Sequence, residues 1–210
     1  MKKSILIVFS LLFFSVGNAQ QQGIINNSQS KHVKLKSINI EDCQWTDGFW
    51  AEKFKVAEET MVPYMGELLT GDTGHALNNF KIAAGLKKGK HQGMKWHDGD
   101  FYKWMEASIY IYAQNKDPKI LSDLDSYIEI IAKAQEEDGY IHTKVQIEDD
   151  MFRFGNRQHH EMYNFGHLYT SACIHHRVTG KKNFLDLAIK NANFLHDTFI
   201  SEPDHLKRFG

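Results

Sequence analysis

The segment around His160 brings together the side chains of this chain that are best suited to chemistry. If the segment is helical, His160 and His167 share one face, with Tyr163 or Asn164 between them. Two imidazoles with a phenol or an amide on one stripe suit the hydroxyl groups of a sugar better than they suit an apolar core. Glu161 stands beside His160 near the helix start, where the helix dipole favours an anionic side chain. The pattern therefore predicts a sugar-binding face.

Chance clustering is an alternative interpretation, because the chain contains 12 histidines and a histidine at a helix start is often only a cap or a surface residue. A zinc-protease helix is excluded. Its H-E-x-x-H motif needs a second imidazole four positions after the first. When His160 is taken as the first, Asn164 stands at that position.

A second polar and aromatic cluster, from Trp96 to Asp100, opens another predicted helix. Asp98 or Asp100 can cap that helix, since a short acidic side chain accepts hydrogen bonds from the first free N–H groups. Trp104 follows one turn later and is expected either to line a pocket or to be a core aromatic. A glycosidase carboxylate pair could be drawn from Asp98, Asp100 and Glu161, but the sequence does not fix the separation of about 5 Å that retention requires.

Hydrophobic periodicity predicts that most of the chain is helical. The predicted helices cover about 49–69, 78–86, 101–116, 118–135, 160–179 and 184–199. Pro63 should kink or interrupt the first of them, because proline has no N–H to donate. Asp117 and Pro118 are typical of a helix start, and Gly180 is typical of a helix end.

Two segments show alternation instead of a helical period. Val33–Ile40 is expected to be a short strand that ends a flexible leader over 20–40, and Tyr140–Met151 an extended loop.

The turns Lys116–Pro118 and Gly180–Lys182 coincide when one helical hairpin is laid over the other, as in stacked αα-hairpins. This predicts an all-α fold, a partial (α/α)6 toroid in which helices 101–116 and 160–179 are alternate members of one ring. Their starts would then meet at one pocket. The candidates for that pocket are His97, Asp98, Asp100, Tyr102, Trp104, His160, Tyr163 and His167.

Composition and the N-terminal segment limit the possible partners and the cellular location. The formal net charge of −1 disfavours a nucleic-acid partner, because neutralising phosphates needs a surplus of Lys and Arg. Lys2 and Lys3, followed by the apolar run Ile5–Phe14, are typical of a signal peptide over 1–19, with cleavage after Ala19. The apolar run is too short to span a bilayer. The chain is therefore expected to be secreted or periplasmic, with no membrane contact after cleavage. An uncleaved anchor is the alternative.

The two cysteines, Cys43 and Cys173, do not define a metal site, because neither has a Cys or His partner at the spacing of a closed site. Export would permit a disulfide between them. Cys173 falls in the apolar stripe of a predicted helix, so a buried free thiol is the default expectation.

Four segments, in this order, resemble the N-terminal part of glycoside hydrolase family 127, the β-L-arabinofuranosidase-like proteins. The resemblance covers roughly residues 40–210. The segments are Asn78-Asn79-Phe80 with Ala83-Ala84-Gly85, Asp100–Ala107, Ala134-Gln135 with Asp138–Ile141, and His160–Tyr163 with Gly166–Leu168.

The resemblance implies an (α/α)6 barrel followed by β-sandwich domains. It also implies hydrolysis of arabinofuranosides with retention, by a zinc-bound cysteine thiolate as nucleophile and a glutamate as acid/base. His160 matches the family histidine that contacts the sugar. Glu161, Tyr163 and His167 match the same motif, and Asp100 and Trp104 match the other helix start.

The chain also departs from the family pattern. Neither Cys43 nor Cys173 matches the zinc-binding cysteines, whose positions lie downstream, so no zinc ligand is identifiable here. The family's Asp-Ser-Asp reads Asp98-Gly99-Asp100, without the hydroxyl. The expectation is therefore a truncated N-terminal part, over 41–210, that binds sugar and has no turnover of its own.

Two alternatives remain open. One is a helical-toroid enzyme of the unsaturated glucuronyl hydrolase type, which would depend on the carboxylates Asp98, Asp100 and Glu161. The other is a helical-repeat module that binds glycan without catalysis.

Overall fold

The described part of the chain contains only helices as regular structure. The computed structural model describes residues 25, 27, 29–35, 37–201 and 204. No strand occurs among them, which confirms the predicted all-α class. None of their helices combines the length and apolar character needed to cross a membrane. The predicted signal peptide over 1–19 lies outside the described residues.

Eight α-helices and three short turns of other helical type follow one another in this part of the chain. The α-helices are α1 (Gly48–Val56), α2 (Val62–Thr70), α3 (Ala76–Ala83), α4 (His97–Asn115), α5 (Pro118–Ala134), α6 (Thr143–Ile147), α7 (Glu161–Thr179) and α8 (Asn183–Ser201). The 3₁₀ turns are Ile40–Asp42 and Arg157–His159, and the π-helical turn is Ala57–Met61.

Local sequence signals account for several helix boundaries. Pro63 lies in the first turn of α2, directly after the π-helical turn, so the predicted interruption is present. Asp117 caps α5 by accepting a hydrogen bond of 2.8 Å from the backbone N–H of Lys119. Gly180 ends α7 with φ +74°, a conformation that glycine adopts without strain.

Three local expectations are wrong. The predicted strand over Val33–Ile40 is not formed in its described residues, and Ile40 begins a 3₁₀ turn. The predicted extended loop Tyr140–Met151 contains the short helix α6. Cys173 is exposed, because it lies on the face of α7 that no other helix covers. Both cysteines are free thiols.

The helices pack in two layers. In one layer, α4 and α7 run parallel and make the most extensive contact of the fold. The direction follows from two contacts: the backbone N–H of Gly99 meets Asn164, and Ser171, further along α7, donates to the carbonyl of Tyr102. Helices α2, α5 and α8 pack against this pair. They run the opposite way, because α5 and α8 follow α4 and α7 through short turns and α2 contacts α4 in reverse order. The starts of α4 and α7 therefore lie side by side at one end of the molecule.

Aromatic side chains fill the space between the layers. Phe80 of α3 contacts the rings of both Phe101 and Tyr102 in the first turns of α4. Phe184 of α8 packs against Tyr102 from the other side. All four side chains are almost completely buried, so the core anchors the N-terminal half of α4.

Candidate functional site

One buried asparagine fixes the start of α4 against the start of α7. The side-chain oxygen of Asn164 accepts a hydrogen bond of 3.0 Å from the Gly99 N–H, and its amide nitrogen donates to the Lys95 carbonyl at 3.1 Å. A β-carbon at position 99 would lie 2.6 Å from the Asn164 oxygen and 3.0 Å from the Tyr163 ring. The glycine therefore allows the close approach that brings the two helix starts together.

A polar and aromatic surface lies above this contact. The Lys103 ammonium lies 2.7 Å from an Asp100 carboxylate oxygen and donates a 2.9 Å hydrogen bond to the Tyr163 hydroxyl. The Tyr163 ring lies 4.6 Å from the His167 ring and 5.9 Å from that of His160.

Trp96 extends the same surface, with its ring 5.2 Å from that of His160. Each of the residues in this set is at least partly exposed. We call this set the α4–α7 surface: Trp96, Asp100, Lys103, His160, Tyr163 and His167.

Partial burial and the neighbouring charges on the α4–α7 surface set the protonation of His167. Partial burial and the Lys103 ammonium lower the pKa of His167, and Asp100 offsets only part of that effect. Burial lowers the pKa of Lys103, but its hydrogen bonds to Asp100 and Tyr163 outweigh burial and raise that pKa overall. At neutral pH the surface therefore presents a neutral imidazole, which can both donate and accept, beside a fixed cation.

His160 occupies an unusual backbone position directly before α7. Its φ of +60° is in the left-handed region, which non-glycine residues seldom adopt. Its carbonyl accepts the N–H of Asn164, and its side chain makes no capping hydrogen bond. The backbone thus begins the helix, while the imidazole turns toward Trp96 and remains available to a ligand.

The structure does not bring Glu161 to this surface. Its side chain is buried, and its carboxylate accepts hydrogen bonds from the Tyr140 hydroxyl at 2.5 Å and from the Phe154 N–H at 2.9 and 3.1 Å. These bonds attach two loop segments to the start of α7. Glu161 therefore holds the local structure and does not face a ligand.

Asp98 is likewise turned inward, and the expectation that it caps α4 is wrong. Its two carboxylate oxygens accept the N–H and the hydroxyl of Thr143, at 2.8 and 2.6 Å. Burial raises its pKa, against the lowering influence of His142 and of these hydrogen bonds. The residue before α4 is Trp96, and no side chain caps the helix. Of the three candidate carboxylates, only that of Asp100 reaches the surface.

The remaining pocket candidates also lie elsewhere. Trp104 faces the opposite side of α4, where its indole N–H donates to the Val62 carbonyl at 2.8 Å and its ring stacks on Phe101. Tyr102 belongs to the core. The His97 ring packs against Gly93, in the loop before α4.

A metal-binding cluster is not formed by the described residues. No group of three or more His, Cys, Asp or Glu side chains within them could hold an ion. Cys43 and Cys173 are both exposed.

Two members of the α4–α7 surface were missed as site residues by sequence reasoning. Lys103 stands three positions after Asp100, and opposite charges at this helical spacing are a recognisable signal. For Trp96, the only sequence signal of a role in the site is its position directly before a helix start. Asn164 was placed on the sugar-binding face as an alternative to Tyr163, whereas it faces α4 and only positions that face.

Comparison with known proteins connects this arrangement to one family. The family model that describes the catalytic domain of GH127 β-L-arabinofuranosidases matches residues 42–207 of this chain. The non-reducing end β-L-arabinofuranosidase of Bifidobacterium longum subsp. longum is 33% identical over 179 residues, which are 75% of this chain and 27% of that protein.

Solved structures agree. A GH127 β-L-arabinofuranosidase from Geobacillus stearothermophilus T6 superposes with a TM-score of 0.69 at 35% identity, covering 72% of this chain and 25% of that one. A second GH127 β-arabinofuranosidase gives a TM-score of 0.66 at 30% identity, covering 73% and 26%. The chain thus spans about a quarter of the length of the relatives it matches.

Proposed function

This chain belongs to the GH127 β-L-arabinofuranosidase catalytic-domain family of glycoside hydrolases, and we propose that it forms the sugar-binding part of an enzyme acting on β-L-arabinofuranosides or related plant-polysaccharide sugars. The observation that carries the proposal is the α4–α7 surface. It gathers donors, acceptors and aromatic faces from two helix starts at one accessible place.

The chemistry of the surface suits a small sugar. Asp100 can accept from a sugar hydroxyl, and the neutral imidazole of His167 can both donate and accept. The imidazole of His160 adds a further polar group beside Trp96. The rings of Tyr163 and Trp96 offer apolar faces to the C–H groups of the furanose. These groups bind and orient the sugar, and none of them is assigned a bond-breaking role.

The layer arrangement supports a partial (α/α)6 toroid. In this proposal α4 and α7 are inner helices, and α2, α5 and α8 are outer helices. The shared direction of α4 and α7, and the opposite direction of the outer set, are what such a ring requires. The α4–α7 surface would then lie at one end of the ring, where the mouth of a sugar cleft is expected.

Retaining turnover in this family is expected to involve zinc, which would hold a cysteine thiolate deprotonated at neutral pH. The described residues do not fit that group: Cys43 and Cys173 are exposed thiols, and no cluster of ligand side chains accompanies either. No step is therefore derived through zinc. We propose that this chain alone binds the sugar without hydrolysing it.

The setting of this activity is also part of the proposal. The Lys2–Lys3 and Ile5–Phe14 pattern supports export to the periplasm or beyond, with cleavage after Ala19. A carbohydrate is the proposed partner. The near-neutral charge gives no support for a nucleic-acid partner, and no membrane contact is proposed after cleavage.

Titration of the 210-residue chain with methyl β-L-arabinofuranoside, followed by NMR, tests the proposal. We expect saturable chemical-shift changes. The affinity for the sugar should fall about tenfold in H160A, since one lost hydrogen bond to a ligand costs about 1.4 kcal/mol. E129Q, on the exposed side of α5, is the matched control and should bind normally. Equal binding by H160A and the unmodified chain would refute the site.

A p-nitrophenyl β-L-arabinofuranoside assay tests the absence of turnover separately. We expect no release of nitrophenol by the same chain, with or without added zinc. Zinc-dependent release would contradict the proposal. Release that survives chelation but is lost in D100N would favour the carboxylate-dependent alternative.

A further inference from the structure

A second cavity lies on the opposite side of α4 from the α4–α7 surface. It has a volume of about 510 Å³ and lies between α2 and α5, with α4 as its floor. Trp104 and Tyr127 form an aromatic wall, and Val62, Ile111 and Ile120 supply aliphatic groups. We call this cavity the α2–α5 valley.

The shape of the valley fits a helix. Its lining runs from Glu58 in the π-helical turn to Thr70 at the end of α2, a length of about 18 Å at 1.5 Å per residue. Helix α3 closes the end near the start of α4, where it contacts α2, α4 and α5. Because α3 spans only Ala76–Ala83, whereas α4 spans His97–Asn115, α3 does not cover the C-terminal half of α4. At the last residue of α4, Asn115 donates a hydrogen bond of 2.7 Å to the Glu58 carboxylate and marks the other end of the valley.

The polar groups on the floor of the valley are already hydrogen-bonded within the protein. The Ser108 hydroxyl donates to the Trp104 carbonyl, and the Thr70 hydroxyl donates to the Gly66 carbonyl, both within their own helices. The Trp104 indole N–H is bonded to Val62. A sugar would leave its hydroxyl groups unpaired against this floor, whereas an apolar helix face would not.

The rim of the valley is acidic. Glu58 of the π-helical turn and Glu67 of α2 lie on one side, and Asp117 and Asp123 lie on the side of α5. The cation on the rim, Lys119, is already paired with Asp123 at 2.5 Å. An apolar floor between two acidic rims matches a helix that has an apolar face and basic flanks.

We propose that the α2–α5 valley binds a short amphipathic helix, carrying lysine or arginine on both flanks, of a partner polypeptide. The apolar face of that helix covers Trp104 and Tyr127. Its basic side chains pair with Glu67 on one rim and with Asp117 on the other. The valley is thereby a protein-docking site, separate from the sugar-binding surface.

The probe that tests this is a labelled peptide of leucine and lysine, about 12 residues long, with all leucines on one helical face. Fluorescence polarisation with the 210-residue chain should show saturable binding. E67K should weaken it about fivefold or more, as expected for reversing one charge of an exposed pair. E129K makes the same charge change outside the valley and should leave binding within about twofold.

Four outcomes would overturn the proposal. Equal weakening by E67K and E129K would show unspecific charge attraction. If a leucine–glutamate peptide bound as tightly as the leucine–lysine peptide, the valley would bind apolar helices without selecting for charge. Loss of the signal through concentration-dependent dimerisation would make a second copy of this chain the occupant. Absence of saturable binding would remove the site. Since Glu67 is exposed, E67K is expected to fold, and circular dichroism checks this.

Discussion

Gly99 shows how one missing side chain can decide the geometry of a site. It stands where related proteins of the family are expected to have serine, yet here its backbone N–H meets Asn164 and leaves no room for a β-carbon. The close approach of α4 to α7 at this point therefore requires glycine. The position of Tyr163 on the α4–α7 surface depends on that approach.

G99A is expected to push Asn164 and Tyr163 away and to lower the free energy of unfolding by about 1–3 kcal/mol, as overpacking of a closed contact does. Guanidinium denaturation measures this. G166A is the matched control on α7, because a β-carbon there meets nothing within 4 Å. Removing a mid-helix glycine should raise stability by up to about 1 kcal/mol. The same change of stability in both variants would contradict the role given to Gly99.

His175 is a buried histidine whose two ring nitrogens have no hydrogen-bond partner in the described structure. Burial lowers its pKa to about 4, with Asp125 opposing the shift and Lys181 adding to it. The folded state therefore holds a neutral imidazole, while the unfolded chain takes up a proton near pH 6.5. Its contribution to stability is full above pH 6.5 and is lost as the pH falls toward 4.

H175L should therefore flatten the acid dependence of stability. In the unmodified chain this residue makes the free energy of unfolding fall by up to about 1.4 kcal/mol for each pH unit below 6.5. Denaturation at about pH 7 and pH 5 should show a smaller difference in the variant. H196L, which changes an exposed histidine, should retain the full difference. An unchanged difference in H175L would show that its nitrogens are hydrated.

At the scale of elements, two buried carboxylates attach loops to helix starts. Asp98 ties the start of α4 to the start of α6 through Thr143, and Glu161 ties the start of α7 to Tyr140 and Phe154. Neither contact lies within one helical turn. Both stabilise the backbone on which the sugar-binding side chains stand.

E161Q should loosen the segment 140–156 without unfolding the helices. The amide can place only one oxygen toward the Tyr140 hydroxyl and the Phe154 N–H, and its NH₂ group would oppose one of these donors. Hydrogen–deuterium exchange should increase in this segment and remain low in α5. E129Q is the control and should change neither region. Unchanged exchange in E161Q would show that the carboxylate is dispensable.

The same contacts explain what the sequence could and could not predict. The start of α5, the end of α7 and the interruption at Pro63 depend on groups within one turn, so local signals were sufficient. The inward turn of Asp98 depends on Thr143, 45 positions away, which periodicity does not encode.

Burial of single side chains was also out of reach. The predicted stripe of α7 included Cys173, but the packing of α4 and α8 leaves that side uncovered. The sequence predicts Trp104 either in the core or in the sugar pocket. Its contacts with Val62 and Phe101 instead place it in the wall of the α2–α5 valley. Helical phase alone does not say which neighbour each side of a helix meets.

At the scale of the whole molecule, α1, α2 and the π-helical turn between them carry large apolar side chains that are exposed in the described structure. Trp50, Met61 and Tyr64 are 64%, 62% and 61% exposed, and Phe49 and Met65 are exposed as well. An uncovered apolar surface of this kind marks a contact with another surface or a tendency to aggregate.

This surface predicts self-association of the isolated 210-residue chain at rising concentration. W50E placed together with M61K should reduce it, because charged groups resist the dehydration that association requires. Analytical ultracentrifugation measures the change. I200E is the control, since Ile200 is equally exposed at 68% but lies on α8, away from this surface. Self-association that falls equally in both variants would show a general charge effect, and a monodisperse unmodified chain at every concentration would show that the apolar side of α1 and α2 is tolerated in water.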